Sequence, residues 1–272
     1  MDKNTSNIII QTHNLSIGYQ SKKNITCVAE NINLSLPKGK LVCVLGKNGI
    51  GKSTLLRTLT KVQPKLSGDI ILNRRKLETI TNTELSKVMS LVLTERIPES
   101  NLTVYELITL GRQPYTNWIG NLTNEDNKYI ELAIEQTKIK DIIHKKHYEL
   151  SDGQLQKVMI ARALAQNTEI ITLDEPTAHL DIHNKIEIFN LLKTLTQKLH
   201  KTILISTHEI HLALQLAGEL WLMNETEIIS GKTEDLIANK SVAKLFSSDL
   251  VTFNLKLKQF IIKNDYFRAD YD

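Results

Sequence analysis

The chain has 272 residues, of which 41% are hydrophobic and 24% are charged, as in ordinary soluble globular proteins. Its 34 basic and 30 acidic residues leave a net charge of +4, which is too small to indicate nucleic-acid binding. The two cysteines, Cys27 and Cys43, lie far apart and outside any C-x-x-C pattern, so neither a disulfide framework nor a zinc site is indicated.

The N-terminus lacks the apolar segment of a signal peptide, since residues 1–7 are mostly polar. No run approaches the roughly 18 apolar residues that a membrane span requires. We therefore expect a cytoplasmic protein that reaches a membrane only through a partner.

The first 45 residues predict short strands. Residues 8–10 and 15–19 are rich in apolar residues, and residues 32–36 alternate apolar and polar side chains before a Pro-Lys-Gly turn. Residues 41–45, Leu-Val-Cys-Val-Leu, form a continuous apolar run that indicates a buried strand.

The next segment, residues 46–54, matches the pattern G-x-x-x-x-G-K-S and precedes a helix predicted over residues 55–62. Its glycines let successive backbone N–H groups turn toward an anion, and a helix start adds about half a positive charge. Lys52 is expected to reach the β- and γ-phosphates of a nucleotide, and the Ser53 hydroxyl to ligate Mg²⁺. The nucleotide-binding residues predicted here are Gly46, Asn48, Gly49, Gly51, Lys52, Ser53 and Thr54.

Helical periodicity begins at about residue 102, after strands predicted at 70–72 and at the end of 85–93. Apolar residues then recur at spacings of three and four up to about residue 166, as at Val104, Leu107 and Ile108. We predict a helical subdomain inserted between strands of the core.

Apolar strands return at residues 170–173 and 202–205, with a helix predicted over residues 186–199 between them. Strands that alternate with helices predict a mostly parallel sheet, which binds ligands at the carboxyl ends of its strands.

Polar residues follow both of these strands. Asp174 is expected to orient the Mg²⁺ held by Ser53. Glu175 projects differently and could polarise a water for in-line attack on the γ-phosphate. His208 follows the second strand, so it is expected at the same edge of the sheet.

A second anion-binding helix start is predicted at residues 150–154, Leu-Ser-Asp-Gly-Gln, before a helical run over residues 155–165. Ser151 can cap that helix, and Gly153 leaves backbone N–H groups accessible.

Taken together, these segments resemble the nucleotide-binding subunit of an ATP-binding cassette (ABC) transporter. The matching segments are residues 46–54, 150–157, 170–175, 178–181 and His208. The resemblance implies an α/β phosphate-loop NTPase core with a mostly parallel sheet, an N-terminal antiparallel β subdomain and an inserted α-helical subdomain at about 96–166. It assigns residues 1–235 to the ATPase domain and residues 236–272 to a C-terminal extension.

The same resemblance implies a role for each matching residue. Lys52, Glu175 and His208 match the catalytic lysine, base and switch histidine, and Tyr19 matches the aromatic residue that stacks on adenine, although it could equally be packing. Two further segments of the family face the nucleotide of an opposing subunit. One is the signature, which is matched by Ser151, Gly153 and Gln154, and the other is the D-loop, which is matched by Asp181. The implied cofactors are ATP and Mg²⁺, and the implied assembly is a homodimer that closes on two ATP molecules.

Two positions depart from the family pattern. Asp152 stands where the signature usually has glycine, and we expect its carboxylate to point away from the nucleotide. Glu95 stands where a glutamine usually contacts Mg²⁺, and it could ligate the same cation through oxygen.

The run at residues 101–118, with Leu-Gly-Arg-x-Pro-Tyr, resembles the subgroup that imports iron-siderophore complexes, haem or cobalamin. That subgroup implies an integral membrane permease as partner and, indirectly, an external substrate-binding protein, with the ATPase bound at the cytoplasmic face of the membrane. Tyr115 and Trp118 could anchor a permease helix or merely pack the helical subdomain, and charge reversal at Arg112 is expected to weaken permease binding.

Other classes of ABC ATPase fit less well. ABC ATPases of chromosome maintenance and DNA repair would have long heptad arms between the phosphate loop and the signature, where this chain has no sustained heptads. Translation-associated ABC ATPases usually carry two cassettes, whereas this chain has one. A non-iron transporter and a binding-only regulator remain as alternatives, although Glu175 and His208 favour turnover.

Overall fold

The structure is a computed structural model that describes residues 7–21, 24–93, 100–117 and 120–263. Its strands are β1 (Ile8–Gln20), β2 (Ile25–Ile32), β3 (Ser35–Pro37), β4 (Leu41–Leu45), β5 (Ser67–Leu72), β6 (Arg75–Lys76), β7 (Met89–Val92), β8 (Ile170–Asp174), β9 (Thr202–Ser206), β10 (Glu219–Met223), β11 (Ile228–Lys232), β12 (Val251–Asn254) and β13 (Gln259–Ile262). Its α-helices are α1 (Lys52–Leu59), α2 (Asn82–Ser86), α3 (Val104–Thr109), α4 (Asn124–Thr137), α5 (Asp152–Ala165), α6 (Ile182–Leu199), α7 (Ile210–Leu216), α8 (Thr233–Ala238) and α9 (Ser241–Phe246).

The central sheet has six strands in the order β11-β10-β4-β9-β8-β7. All neighbouring pairs are parallel except β10 and β11, which are antiparallel. The carboxyl ends of β4, β9 and β8 are therefore neighbours at one edge of the sheet. This confirms the predicted parallel sheet and brings the three polar segments of the sequence to one side.

Alternate residues of each central strand enter two different hydrophobic clusters, because successive side chains point to opposite faces of a sheet. In β4, Cys43 packs in the cluster on the side of α5 and α6, whereas Val42 and Val44 pack in the cluster on the side of α1. All five residues of β4 are buried. The strand that leads into the phosphate loop is thus fixed from both faces.

A second, antiparallel sheet contains β2, β1, β5 and β6 in that order, with β3 paired to β1. The sequence predicted two strands within residues 8–19, but β1 is one strand of 13 residues. Its register against β2 and β5 shifts, so bulges replace the expected break. The strand expected at 32–36 is divided between the end of β2 and β3.

Helices α3, α4 and α5 lie in sequence between β7 and β8, as predicted. Capping boxes define the starts of all three helices, with Thr103, Thr123 and Ser151 as the caps. Each cap accepts a hydrogen bond from the third helical residue, which satisfies an N–H group that would otherwise lack a partner.

The C-terminal segment differs from its predicted form. The helix expected over 234–246 is two helices, α8 and α9, because Lys240 adopts a left-handed conformation between them. The strand expected over 253–258 ends at Asn254, whose side chain accepts backbone N–H groups of Lys256 and Leu257 in the β12–β13 turn. None of the described helices is both long and apolar enough to span a bilayer.

Candidate functional site

The phosphate loop turns directly from β4 into α1. Gly49 has φ 75° and Gly51 has φ 108°, a left-handed region that glycine adopts without strain. A Cβ on Gly51 would lie 2.2 Å from Val28 Cγ1, and one on Gly46 would lie 2.6 Å from the carbonyl oxygen of Met223. These positions therefore require glycine for backbone conformation or for space.

Lys52, the first residue of α1, is only 4% exposed. Its Nζ donates hydrogen bonds to the carbonyl oxygens of Gly46 and Lys47, both at 3.1 Å, and lies 4.0 Å from Glu175 Oε1. Burial lowers the pKa of Lys52, and the negative charges of Glu175 and Asp174 oppose that shift. The ammonium group is thus held inside the loop, next to the carboxylates that follow β8.

Asp174, at the end of β8, is linked both to α1 and to the end of β9. Its Oδ1 accepts hydrogen bonds from Ser53 Oγ at 2.8 Å and from Ser206 Oγ at 2.6 Å. Asp174 is 1% exposed, and its Oδ2 is buried with no hydrogen-bond partner in the described part of the chain. A buried carboxylate oxygen that lacks a donor fits a hard cation, which prefers oxygen ligands. Ser53 and Asp174 therefore have the donor atoms that Mg²⁺ requires.

Glu175 has φ 46°, a left-handed conformation that is uncommon outside glycine and often marks functional residues. Its backbone N–H donates to Ser206, at 3.1 Å to the carbonyl oxygen and 2.9 Å to Oγ. His208 Nε2 lies 2.6 Å from Glu175 Oε1, so the two side chains share a hydrogen bond. The predicted base and the predicted histidine are therefore in contact.

Tyr19 lies at the end of β1, with 55% of its surface exposed. Its hydroxyl hydrogen-bonds Thr54 Oγ1 at 2.9 Å, so the ring is tied to α1 just after the phosphate loop. Tyr19 is therefore an exposed aromatic residue beside the phosphate loop.

The segment before α5 presents an exposed helix start. Ser151 Oγ accepts from the N–H of Gln154 at 3.3 Å, and the Gln154 side chain accepts from the N–H of Ser151 at 3.1 Å. Ser151 and Asp152 are exposed, whereas Gly153 is buried. Asp152, in the first turn, complements the positive end of the helix dipole.

Asp181 caps α6, and its Oδ1 accepts a hydrogen bond from the N–H of Asn184 at 2.8 Å. The pKa of Asp181 is lowered, mainly by this backbone hydrogen bond. Asp181 is exposed and ionised.

The predicted site residues thus form two groups, and no hydrogen bond or ion pair joins these groups among the residues that the structure describes. The first, which we call the phosphate-loop group, contains Tyr19, Gly46, Asn48, Gly49, Gly51, Lys52, Ser53, Thr54, Asp174, Glu175 and His208. The second, which we call the signature group, contains Ser151, Gly153, Gln154 and Asp181. Glu95 and Trp118 lie outside the described residues.

The expectation that Arg112 faces a permease is wrong. Arg112 is 3% exposed, and its Nε donates to Asp126 Oδ1 at 2.7 Å while its Nη1 donates to the carbonyl oxygen of Ala165 at 2.8 Å. The rings of Tyr115 and Tyr129 lie 4.0 and 4.7 Å from its guanidinium carbon. Arg112 therefore links α4 to the end of α5, and its charge reversal would place two like charges in contact and destabilise that region. Tyr115 itself is 38% exposed.

Sequence reasoning missed Ser206, which binds both Asp174 and the backbone of Glu175. A signal was present, because Ser206 ends the apolar run of β9 just as Asp174 ends that of β8. The two residues pair in register on the neighbouring parallel strands.

Comparison with known proteins gives a consistent match. A protein-family model described as "ABC transporter" matches residues 29–178. A probable siderophore transport system ATP-binding protein of Bacillus subtilis is 36% identical over 88% of this chain and 86% of its own length. An iron(3+)-hydroxamate import ATP-binding protein of the same organism is 34% identical, over 82% of each chain.

Solved structures agree in fold. An inward-facing ABC transporter described as metal-chelate type aligns with a TM-score of 0.76 at 25% identity, over 94% of this chain and 96% of its own. A dimeric ATP-binding cassette in a post-hydrolysis state with ADP and phosphate aligns with a TM-score of 0.70 at 27% identity, over 83% of this chain and 99% of its own.

Proposed function

The chain belongs to the ABC transporter family and is an ATP-binding cassette ATPase, and from this premise we propose that it energises import of an iron-siderophore or related chelate across the cytoplasmic membrane. Support for the cargo class comes from relatives named for siderophore and iron(3+)-hydroxamate transport, which match more than four fifths of the chain. Haem and cobalamin belong to the same chemical class of large chelates.

In this proposal the phosphate-loop group holds ATP. The backbone N–H groups of residues 46–54 bind the phosphate oxygens, and Tyr19 stacks on adenine. Lys52 exchanges its hydrogen bonds with the loop carbonyls for bonds to the β- and γ-phosphates. Because the ammonium group is already buried and aimed into the loop, little reorganisation accompanies binding.

Ser53 and Asp174 are the residues that would hold Mg²⁺, a role for which the partnerless Oδ2 of Asp174 is suited. When bound, Mg²⁺ neutralises charge on the transferring phosphate. We keep Glu95 as a further proposed ligand, on sequence grounds alone.

Glu175 acts as the base in this mechanism. Its backbone is held by Ser206, and its Oε1 is held by His208, so the carboxylate has a defined position at the carboxyl ends of β8 and β9. From that position Glu175 orients a water for in-line attack on the γ-phosphate and accepts its proton. His208 keeps the side chain of Glu175 in place and can also contact the γ-phosphate.

The signature group is proposed to act on the nucleotide of a second copy. Ser151, Gly153 and Gln154 lie at an exposed helix start, which favours an anion. Asp181 lies close by at the start of α6. A two-fold homodimer places each signature group over the phosphate-loop group of its partner, so that two ATP molecules are enclosed. The similar ATP-binding cassette described as dimeric supports the pairing of two copies.

The transport machinery would include an integral membrane permease, and an external substrate-binding protein would deliver the chelate. This places the ATPase at the cytoplasmic face of the membrane. We propose that residues 1–235 form the ATPase domain, with the helical subdomain at about 96–166, and that residues 236–272 are an extension. In the described part of that extension, Leu236 and Val242 are buried against the main core.

Uptake of a defined iron chelate tests the cargo. A deletion strain should lose uptake of a radiolabelled ferric siderophore, and the wild-type gene should restore it, whereas Glu175→Gln should not. Uptake of a simple ferrous salt is the control and should be unchanged. Normal siderophore uptake in the deletion strain, or co-purification with ribosomes or DNA rather than a membrane permease, would contradict the proposal.

A further inference from the structure

Gly153 lies in the first turn of α5, where glycine has no conformational advantage. Its φ is not positive, and glycine in a helix costs about 1 kcal/mol relative to alanine. A Cβ built on Gly153 would instead meet one neighbouring side chain, with Asn184 Oδ1 at 2.5 Å, Cγ at 2.7 Å and Nδ2 at 3.1 Å. Within the structure, Gly153 is therefore required because Asn184 fills the space of a side chain.

Asn184 is not free to move aside. Its Nδ2 donates to Asp181 Oδ2 at 2.7 Å, and its backbone N–H donates to Asp181 Oδ1 at 2.8 Å. Both of these bonds favour the ionised carboxylate and lower the pKa of Asp181. With Nδ2 fixed on Asp181, Oδ1 is the amide atom nearest to Gly153. One side chain thus contacts both the signature and the D-loop carboxylate.

A second tie lies one turn further along both helices. Lys157 of α5 forms an ion pair with Glu187 of α6, and the hydrogen bond from Lys157 lowers the pKa of Glu187. The spacing of four residues from Gly153 to Lys157 places both on one face of α5. The N-terminal ends of α5 and α6 are therefore joined by two contacts that lie one helical turn apart.

We propose that Asn184 is a positioning residue that fixes Asp181 and residues 151–154 as one rigid unit, which docks on the nucleotide of the partner copy. This inference rests on the proposed function, because it concerns the surface by which two copies enclose ATP. Ordering that surface before docking reduces the entropy lost when the dimer forms. The absence of a side chain at Gly153 is then explained by the space that Asn184 occupies, in addition to any space that an approaching phosphate needs.

A double-variant experiment tests the proposal in the full-length chain. In a Glu175→Gln background, ATP-dependent dimerisation is measured by analytical ultracentrifugation for Gly153→Ala, Asn184→Ala and the double variant. We expect Gly153→Ala to weaken the dimer at least about tenfold, or about 1.4 kcal/mol, through its clash with Asn184. Asn184→Ala alone should weaken it about threefold to fivefold, because Asp181 loses one donor.

The decisive outcome is rescue. Removing the Asn184 side chain makes room for the new methyl group, so the double variant should dimerise better than Gly153→Ala alone and about as well as Asn184→Ala. Asn190→Ala is the matched control, because Asn190 is exposed on the same helix and forms no hydrogen bond or ion pair with α5 among the described residues; it should behave as the parent.

Folding and function are separated by two further measurements. Each variant is checked by thermal melting, to show that it is folded at the temperature of the assay, and by binding of a fluorescent ATP analogue to the single subunit, which should not change. A double variant that dimerises no better than Gly153→Ala, or a Gly153→Ala protein that dimerises normally, would overturn the inference. A Glu175→Gln parent that stays monomeric in ATP would overturn the two-copy proposal as well.

Discussion

The phosphate-loop group and the signature group are built in opposite ways. Lys52 and Asp174 are almost fully buried, and each contacts a residue from a distant part of the chain: Lys52 lies 4.0 Å from Glu175, and Asp174 accepts a hydrogen bond from Ser206. Ser151 and Asp181 are exposed, and within the described part of the chain they form hydrogen bonds only inside their own helix turn. The first group is organised by the fold of one copy, whereas we propose that the second offers a surface for another copy. Substitutions in the first should therefore impair binding or chemistry, and those in the second should impair pairing.

The largest effect is expected for Glu175→Gln. The amide cannot accept a proton from water, so kcat should fall by about 10²–10⁴. Binding of ATP should persist, and the ATP-bound dimer should accumulate because hydrolysis no longer separates the two copies. Phosphate release and sedimentation measure the two properties. Turnover within tenfold of wild type would remove Glu175 from the role of base.

Lys52→Ala should lower turnover by about 10²–10³, because it removes a buried cation aimed at developing charge. Unlike Glu175→Gln, it should also weaken ATP binding to the single subunit. Lys198→Ala is the matched control, since Lys198 is exposed in the last turn of α6 and should leave both properties unchanged. If Lys52→Ala bound and hydrolysed ATP normally, the assignment of the loop would be wrong.

A feature of these two groups can be predicted from the sequence when the residues that produce it are close together in the chain. Residues 46–54 predict a phosphate loop because the glycines, the preceding strand and the helix are contiguous. The contact between Glu175 and His208 follows from strands that end at the same edge of the sheet. By contrast, the role of Asn184 depends on a contact between helices that begin 30 residues apart, which no local pattern indicates.

For Arg112, by contrast, the sequence predicted a role that the structure contradicts. Its charge and its place before Tyr115 favoured a surface role, but burial depends on α4 and α5, which supply Asp126 and the carbonyl oxygen of Ala165. The sequence does not show that these two partners converge on one guanidinium group. A charged residue in a helical region is therefore a weak indicator of an interface unless its exposure is known.

A smaller effect is expected for Ser151→Ala. Loss of the helix cap should lower the free energy of unfolding by about 1 kcal/mol. The ATP-dependent dimer of the Glu175→Gln protein should weaken about tenfold, because a hydrogen bond to a charged oxygen is lost. Ser151→Asp sharpens this comparison, since aspartate retains the cap but places a carboxylate against the partner's γ-phosphate. Stability should recover while dimerisation is lost, and dimerisation equal to that of the parent would exclude a phosphate contact by Ser151.

The smallest effect is expected for Asp152→Gly. Asp152 is exposed and favours the helix dipole, so the substitution should cost less than about 1 kcal/mol of stability. ATPase activity should change less than about twofold, corresponding to about 0.4 kcal/mol. A large rise in activity would mean that the carboxylate points at the nucleotide and repels it.

Cross-linking tests the two-copy site most directly. One chain carries Asn48→Cys and the other Asp152→Cys, both in a Glu175→Gln background with Cys27→Ser, so that no other exposed cysteine remains among the described residues. The two chains should form an intermolecular disulfide rapidly when ATP is present, and slowly without it, whereas either chain alone should not cross-link. Absence of the mixed disulfide in ATP, or cross-linking that does not depend on ATP, would contradict a nucleotide enclosed between the phosphate loop of one copy and the signature of the other.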